Sequence, residues 1–95
     1  MKSFIVYKVL VQWSCGSYRR TTIKTKWVEI AATDISIASE EAIKQAGNGY
    51  LPRVSMIWPK TEYRIINGIK TLVTFFTDGL KVWDTKTDSY KYLNA

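Results

Sequence analysis

Apolar positions in this chain recur with two different periods. Over residues 2–13 and 18–31, valine, isoleucine, threonine and aromatic residues alternate with polar ones, the pattern of β-strands. The segment Asp34–Gly47 breaks that pattern. Ile35, Ala38, Ala42 and Ala46, with Ile43 beside them, return at helical spacing and form one apolar stripe. Asp34 is placed to cap the helix, Glu40 and Glu41 precede Lys44, and Gly47 ends it. The stripe is narrow and rich in alanine, so the helix can lie close against a sheet.

Between the first two strands stands Ser14-Cys15-Gly16-Ser17, a hairpin signal. A turn centred on Cys15-Gly16 pairs Trp13 with Tyr18, Val11 with Arg20, Val9 with Thr22, Tyr7 with Lys24 and Ile5 with Lys26. The other face then carries Phe4, Val6, Leu10, Ile23 and Trp27, and this is the face expected to meet the helix. A one-residue slip would invert the assignment.

After the helix, Asn48–Pro52 reads as a loop and Arg53–Trp58 as a strand. Pro59-Lys60 must interrupt pairing or mark an edge, because proline offers no N–H to a ladder. Asn67-Gly68 is the strongest local signal, a two-residue turn that pairs Ile66 with Ile69, Ile65 with Lys70, Arg64 with Thr71 and Tyr63 with Leu72. A second turn at Asp78-Gly79 leads into Leu80–Trp83. The final DTKTDSYKYLNA is either a last edge strand or a packed tail. The expected fold is α+β: a single domain over residues 1–95, with a curved antiparallel sheet of five or six strands and one helix on one face, in the order β-β-α-β-β-β.

Composition narrows the class. A chain of 95 residues suits one domain, and 46% hydrophobic with 14% aromatic residues is too rich for disorder. The single cysteine, Cys15, permits no intramolecular disulfide and fits a reducing, cytoplasmic setting. Lys8 interrupts the apolar N-terminal run, which alternates like a strand rather than a leader. No apolar stretch approaches the roughly 20 residues of a spanning helix, so no membrane partner is expected. The net charge of +6 favours an anionic partner or simply solubility.

Chemistry is scarce. The chain has no histidine, which removes the commonest general base and the usual zinc ligand sets. Cys15 would need activation by Arg19 or Arg20 to act as a nucleophile, and a plain turn thiol explains it better. Asp34, Glu40 and Glu41 have helix roles, while Asp78, Asp84 and Asp88 match no calcium loop. Gly47 and Gly49 lack the lysine and context of a phosphate loop. We therefore expect no catalytic residue, cofactor, metal or small-molecule substrate.

What remains is surface. Tyr18–Trp27 reads YRRTTIKTKW, with four of the fourteen positive charges in ten residues. Trp13, Tyr18, Arg19, Arg20, Lys24 and Lys26 are the candidate partner-binding residues, since cations flanked by aromatics suit a protein interface or phosphates with stacked bases. A solvated strand face protected by lysine is the plainer explanation. Trp27, Trp58 and Trp83 are expected in the core, and Trp13, near the hairpin tip, outside it. Phe75-Phe76 puts one ring on each face.

Several of these features together resemble a known family. They are Met1-Lys2 before a strand with Tyr7-Lys8-Val9, and the helix pattern Ile35-x-x-Ala38-x-x-x-Ala42. A strand with Val54 and Met56 follows, then Asn67-Gly68 before an apolar strand, and Asp78-Gly79-Leu80-Lys81-Val82-Trp83-Asp84. In this order they resemble the small phage-borne type I-F anti-CRISPR proteins that bind backbone subunits of the surveillance complex and block target DNA. The present chain is longer in the first hairpin, near Pro59 and after Trp83, so no contact residue is carried over. The resemblance implies an inhibitor acting in the cytoplasm of an infected bacterium on CRISPR-Cas surveillance subunits. Weak non-specific DNA contact fits the charge, whereas DNA mimicry would need an acidic chain. Two other readings stay open: an inhibitor of another host machine, such as RNA polymerase or a nuclease, and a small basic nucleic-acid-binding domain.

Overall fold

A computed structural model describes residues 3–17, 20–46 and 50–93. Its first element is a long hairpin, β1 (Ile5–Ser17) with β2 (Arg20–Ala32). Pairing runs without a break from Ile5–Ala32 through Val11–Lys26 and Trp13–Lys24 to Ser17–Arg20. The expected turn at Cys15-Gly16 is therefore corrected. Both residues lie within β1, opposite Thr22 and Thr21, and Val11 faces Lys26, six positions beyond Arg20. Gly16 serves close approach instead of reversal: its φ is +123°, and a Cβ there would sit 2.1 Å from the Arg20 carbonyl oxygen. Tyr18 and Arg19 lie outside the described residues.

The shift is even, so odd residues of β1 still share a face with even residues of β2. What changes is which face the helix takes. Helix α1 (Ile35–Ala46) buries Ala38, Ala42 and Ala46 against Tyr7, Val9, Val11, Ile30 and Ala32. The face of Phe4, Val6, Leu10, Ile23 and Trp27, expected beneath the helix, is the opposite one. The reason is steric. A helix lined by alanine approaches closely and fits over valine and isoleucine, and a tryptophan beneath it would hold it away. The Asp34 cap forms as expected: its Oδ1 accepts the Ile37 N–H at 2.9 Å, and its carbonyl accepts the Ala38 N–H at 3.1 Å. Gly47, the expected stop, lies outside the described residues.

The strand after the helix begins earlier than expected. β3 (Tyr50–Pro59) includes residues read as loop, while Asn48 and Gly49 lie outside the described residues. It pairs antiparallel with β1 on the side away from β2, with register shifts near Leu10/Val11 and Gln12/Ser14. Its prolines are tolerated because it is an edge strand. At Lys60 the chain changes partner. The Lys60 N–H still donates to the Val6 carbonyl at 2.8 Å, while its own carbonyl accepts from Phe75 at 3.0 Å. β4 (Thr61–Ile66) then pairs with β5 (Ile69–Phe76) in the register set by Asn67-Gly68. Both turn residues have positive φ, 51° and 78°, as a type I′ turn requires.

Phe76 and Gly79 close the next turn into β6 (Gly79–Asp84), and β7 (Ser89–Tyr92) follows as a last edge strand. Among the described residues the result is an open antiparallel sheet of seven strands, where five or six were expected, with one helix. Only the Ile5–Phe76 pair, among the described residues, joins β1 to β5 in the ladder, so the hairpin half and the β4–β7 half meet along a narrow seam. The molecule is extended, 57 × 29 × 19 Å, with a radius of gyration of 17.0 Å. A compact chain of this length would have about 12 Å. Much of the sheet consequently has no second layer.

The close contact of α1 gives the first prediction. Ala42→Leu should overpack the helix–sheet seam and lower unfolding free energy by about 1–3 kcal/mol, measured by chemical denaturation. The same change at the exposed Glu40 should be near neutral.

Candidate interaction surface

The expected basic surface is only partly assembled. Arg20, Lys24 and Lys26 are exposed on one face of β2, and no carboxylate among the described residues forms an ion pair with them. By register they lie on the helix side of the sheet, opposite Ser17, Trp13 and Val11, so they do not belong to the open face. Trp13, expected outside, is half-buried and packs against the helix-covered core. Tyr7, expected beside Lys24, is buried opposite Ile30. Burial pushes its phenol pKa up, with the nearby Asp34 and Tyr90 adding to the effect. β2 is an edge strand, so its cations have an immediate role in preventing edge pairing.

The open face of the same three strands has a different chemistry. Side chains of paired residues share a face, so Leu10 of β1 lies between Trp27 of β2 and Met56 of β3. In the next row Lys8 lies between Glu29 and Trp58. Trp27 and Trp58 meet diagonally, with ring centroids 5.6 Å apart, and Lys8 Nζ is 5.6 Å from the Trp27 ring. These rings are 46% and 45% exposed, contrary to the expected core positions. Glu29 is neutralised by Lys60, whose Nζ donates to both carboxylate oxygens at 2.8 Å. Toward the hairpin tip the face continues past Arg53 to Ile23, around a recess of about 140 Å³.

An apolar aromatic centre with cations at its margin is the composition of a binding hot spot. If each tryptophan gave up roughly 100 Å² to a partner, each would contribute about 2–3 kcal/mol. Sequence reasoning missed Leu10, Trp27, Met56 and Trp58 as site residues. Alternation puts Leu10 and Trp27 on one face, but the expected register set Trp27 opposite Phe4, and the helix was expected on that face; both differ in the structure.

In the β4–β7 half the two faces differ. On one, Arg64 bonds Glu62, Lys91 bonds Asp84 at 2.8 Å, and Val73 is fully buried beside Val82. Lys60 also lies 4.7 Å from the Phe75 ring there. The other face carries Phe76, Trp83, Tyr90 and Tyr92, so Phe75 and Phe76 do point to opposite sides. Trp83, expected in the core, is 46% exposed and packs edge-on to Tyr90 at 5.0 Å. Tyr90 also meets Phe76 at 4.9 Å, and Lys81 Nζ sits between Phe76 and Tyr92 at 4.4 and 4.6 Å.

Near this aromatic group is a polar knot. The hydroxyls of Ser3 and Tyr92 both donate to Asp78, and Lys81 Nζ donates to Ser3 Oγ at 3.0 Å. The Ser3 and Tyr92 hydrogen bonds, with Lys81 helping, hold the Asp78 carboxyl below its usual range. The same bond from Tyr92 to Asp78 raises the Tyr92 phenol. Asp84 is lowered as well, by Lys91 and by the Lys86 N–H.

Cys15 is a half-buried strand residue opposite Thr22, not a turn thiol. Among the described residues, no group of three or more His, Cys, Asp or Glu could hold a metal ion, and no helix is long and apolar enough to cross a membrane. No family model, curated protein or solved structure matches the chain.

Two measurements follow from this geometry. Acrylamide should quench Trp58→Phe and wild type to different extents, because Trp58 supplies a solvent-accessible part of the emission. Asp78→Asn should destabilise the protein at neutral pH. A lowered folded pKa contributes stability above the unfolded value of about 3.9. The gap between wild type and variant should therefore close as pH falls below that value, in denaturation curves taken from pH 7 to pH 2.

Proposed function

We propose that this protein is a non-catalytic inhibitor that seats the Trp27–Trp58 face of its hairpin sheet on a protein subunit of a nucleic-acid machine. The resemblance in sequence supplies the machine, a type I-F CRISPR-Cas surveillance complex in an infected cell, where the bound inhibitor sterically excludes target DNA. The observation that carries the binding role is the open face itself. Leu10, Trp27, Met56 and Trp58 form a contiguous aromatic and apolar centre, with Lys8 and Arg53 within and beside it. Exposed apolar groups gathered in this way mark an interaction site, in contrast to scattered single residues. Lys8 and Arg53 form no ion pair among the described residues and suit a target surface with acidic groups.

Purified surveillance complex should lose binding of labelled target DNA when preincubated with the protein. A Trp27→Ala/Trp58→Ala variant that remains folded should restore it by at least about 100-fold in inhibitor affinity, the scale of two hot-spot losses. Unchanged DNA binding at saturating inhibitor overturns this target.

A second reading rests on Arg20, Lys24 and Lys26, whose charges have no carboxylate partner among the described residues. Direct nucleic-acid contact through them would weaken steeply with salt, and Arg20→Glu with Lys24→Glu would abolish it. Salt-independent or absent DNA binding counts against that reading and leaves the first intact.

A further inference from the structure

The uncovered aromatic face of the β4–β7 half lies on the opposite side of the sheet from Trp27 and Trp58. It shares the helix side, as Ile5 pairs with Phe76 there, but the packing of α1 is concentrated on β1, β2 and β3. Register places Tyr63 opposite Leu72 and Trp83 opposite Tyr90, and the β5–β6 register, carried one position past the Val73–Val82 pair, sets Leu72 alongside Trp83. One row of large apolar side chains thus crosses all four strands. Tyr63 is 64% exposed, and Leu72, Trp83 and Tyr90 are about half that or more. Ile65 and Tyr92 extend the row on the same face and are also exposed. A sheet face of this kind requires a second layer.

We infer that this layer is the same face of a second copy of the chain, packed sheet on sheet across a two-fold axis. Three observations favour a second copy. First, the row is self-complementary. An axis along the strand direction lays Tyr63 of one protomer over Tyr90 of its partner and Leu72 over Trp83, each contact occurring twice. Second, the face has little net charge to repel an identical chain. Lys81 is held by Asp78 and Ser3, and Lys70 lies over the Tyr63 ring at 4.5 Å. Of the described cations without an ion pair, Lys8, Arg20, Lys24, Lys26 and Arg53 stand on β1–β3, and Lys70 and Lys86 stand in this half. A nucleic-acid strand would need free cations along the row, and it offers only Lys70. Third, the area suffices. Six large side chains, each with roughly 100 Å² left to cover, give about 600 Å² per protomer and about 1,200 Å² in total, the lower bound for a specific interface. An interface at that lower bound fits a reversible dimer and not an obligate one.

This dimer leaves the Trp27–Trp58 faces free and pointing outward, so it does not depend on the proposed function. Sedimentation velocity over a range from low micromolar to several hundred micromolar should show the weight-average mass rise from monomer toward dimer. Trp83→Lys should remain monomeric throughout, while Trp27→Lys should dimerise as wild type does. A chemical test avoids reliance on folding of the charged variant. In a Cys15→Ser background, Leu72→Cys should give a covalent dimer with a short bis-maleimide. Thr71→Cys, on the ion-paired face, should not. A monomer at every concentration, crosslinking at Thr71 without crosslinking at Leu72, or loss of the dimer in Trp27→Lys but not in Trp83→Lys would each overturn the inference.

Discussion

The close approach of α1 to the first hairpin decides how the rest of the surface is divided. Ala38, Ala42 and Ala46 present almost no side-chain height, and the layer between helix and sheet is filled by Tyr7, Val9, Val11, Ile30 and Ala32, with Trp13 half-buried against it. Burying these residues gives a thin, dense core. Trp27, Trp58 and Trp83 are left on surface that the helix does not cover. A helix with leucine or phenylalanine along its stripe would stand farther off and could accept Leu10 and Trp27 beneath it. The alanine stripe therefore decides which face stays open as well as which face is core.

The second constraint is the change of partner at Lys60. The chain from Tyr50 to Ile66 is nearly one long strand whose first part pairs with β1 and whose last part pairs with β5. Because alternation continues through the junction, Lys60 faces Glu29 and Phe75 on the open side, and Pro59 falls opposite Tyr7. The two halves become one continuous sheet with opposite cover. In the hairpin half a helix covers one face and the other is aromatic and exposed. In the β4–β7 half ion pairs with long aliphatic stems shield Val73 and Val82, and the helix-side face is the exposed one. The Ser3–Asp78–Tyr92–Lys81 knot ties the chain start to the β5–β6 turn beside the seam, adding polar contacts where pairing is thin.

Local chemistry was legible wherever one short motif fixed geometry without help. Asn67-Gly68 gave the β4–β5 register residue by residue, and Asp34 gave the helix start. The first hairpin was not legible in the same way. Gly16 satisfies two different needs, a turn or a close backbone approach, and only the long-range choice of Val11–Lys26 over Val11–Arg20 separates them. The faces failed for a related reason. Both faces of β1 and β2 mix apolar and polar residues, so alternation defined the two sets but not which set the helix would prefer. Side-chain height, a packing property of α1 and the sheet together, made that choice. Trp27, Trp58 and Trp83 are expected in the core because large aromatics usually fill small cores; here all three stand nearly half exposed, while Trp13, expected outside, packs against it. Of the expected binding residues, Arg20, Lys24 and Lys26 are exposed together, Trp13 is not, and Tyr18 and Arg19 lie outside the described residues.

The edges of the sheet bear on how it can associate. β2 carries Lys24 and Lys26, and β3 has Pro52, Pro59 and two register shifts. β4 and β7 are only six and four residues long. Each of these features opposes strand addition, which needs a long, regular and uncharged row of free N–H and C=O groups. The faces carry no comparable protection: Trp27 and Trp58 stand open on one side, Tyr63, Trp83 and Tyr92 on the other. A sheet with guarded edges and unguarded aromatic faces associates by layer packing. Its selectivity then depends on side-chain shape and charge, which differ between the two faces, and not on backbone hydrogen bonds, which would be alike at every edge.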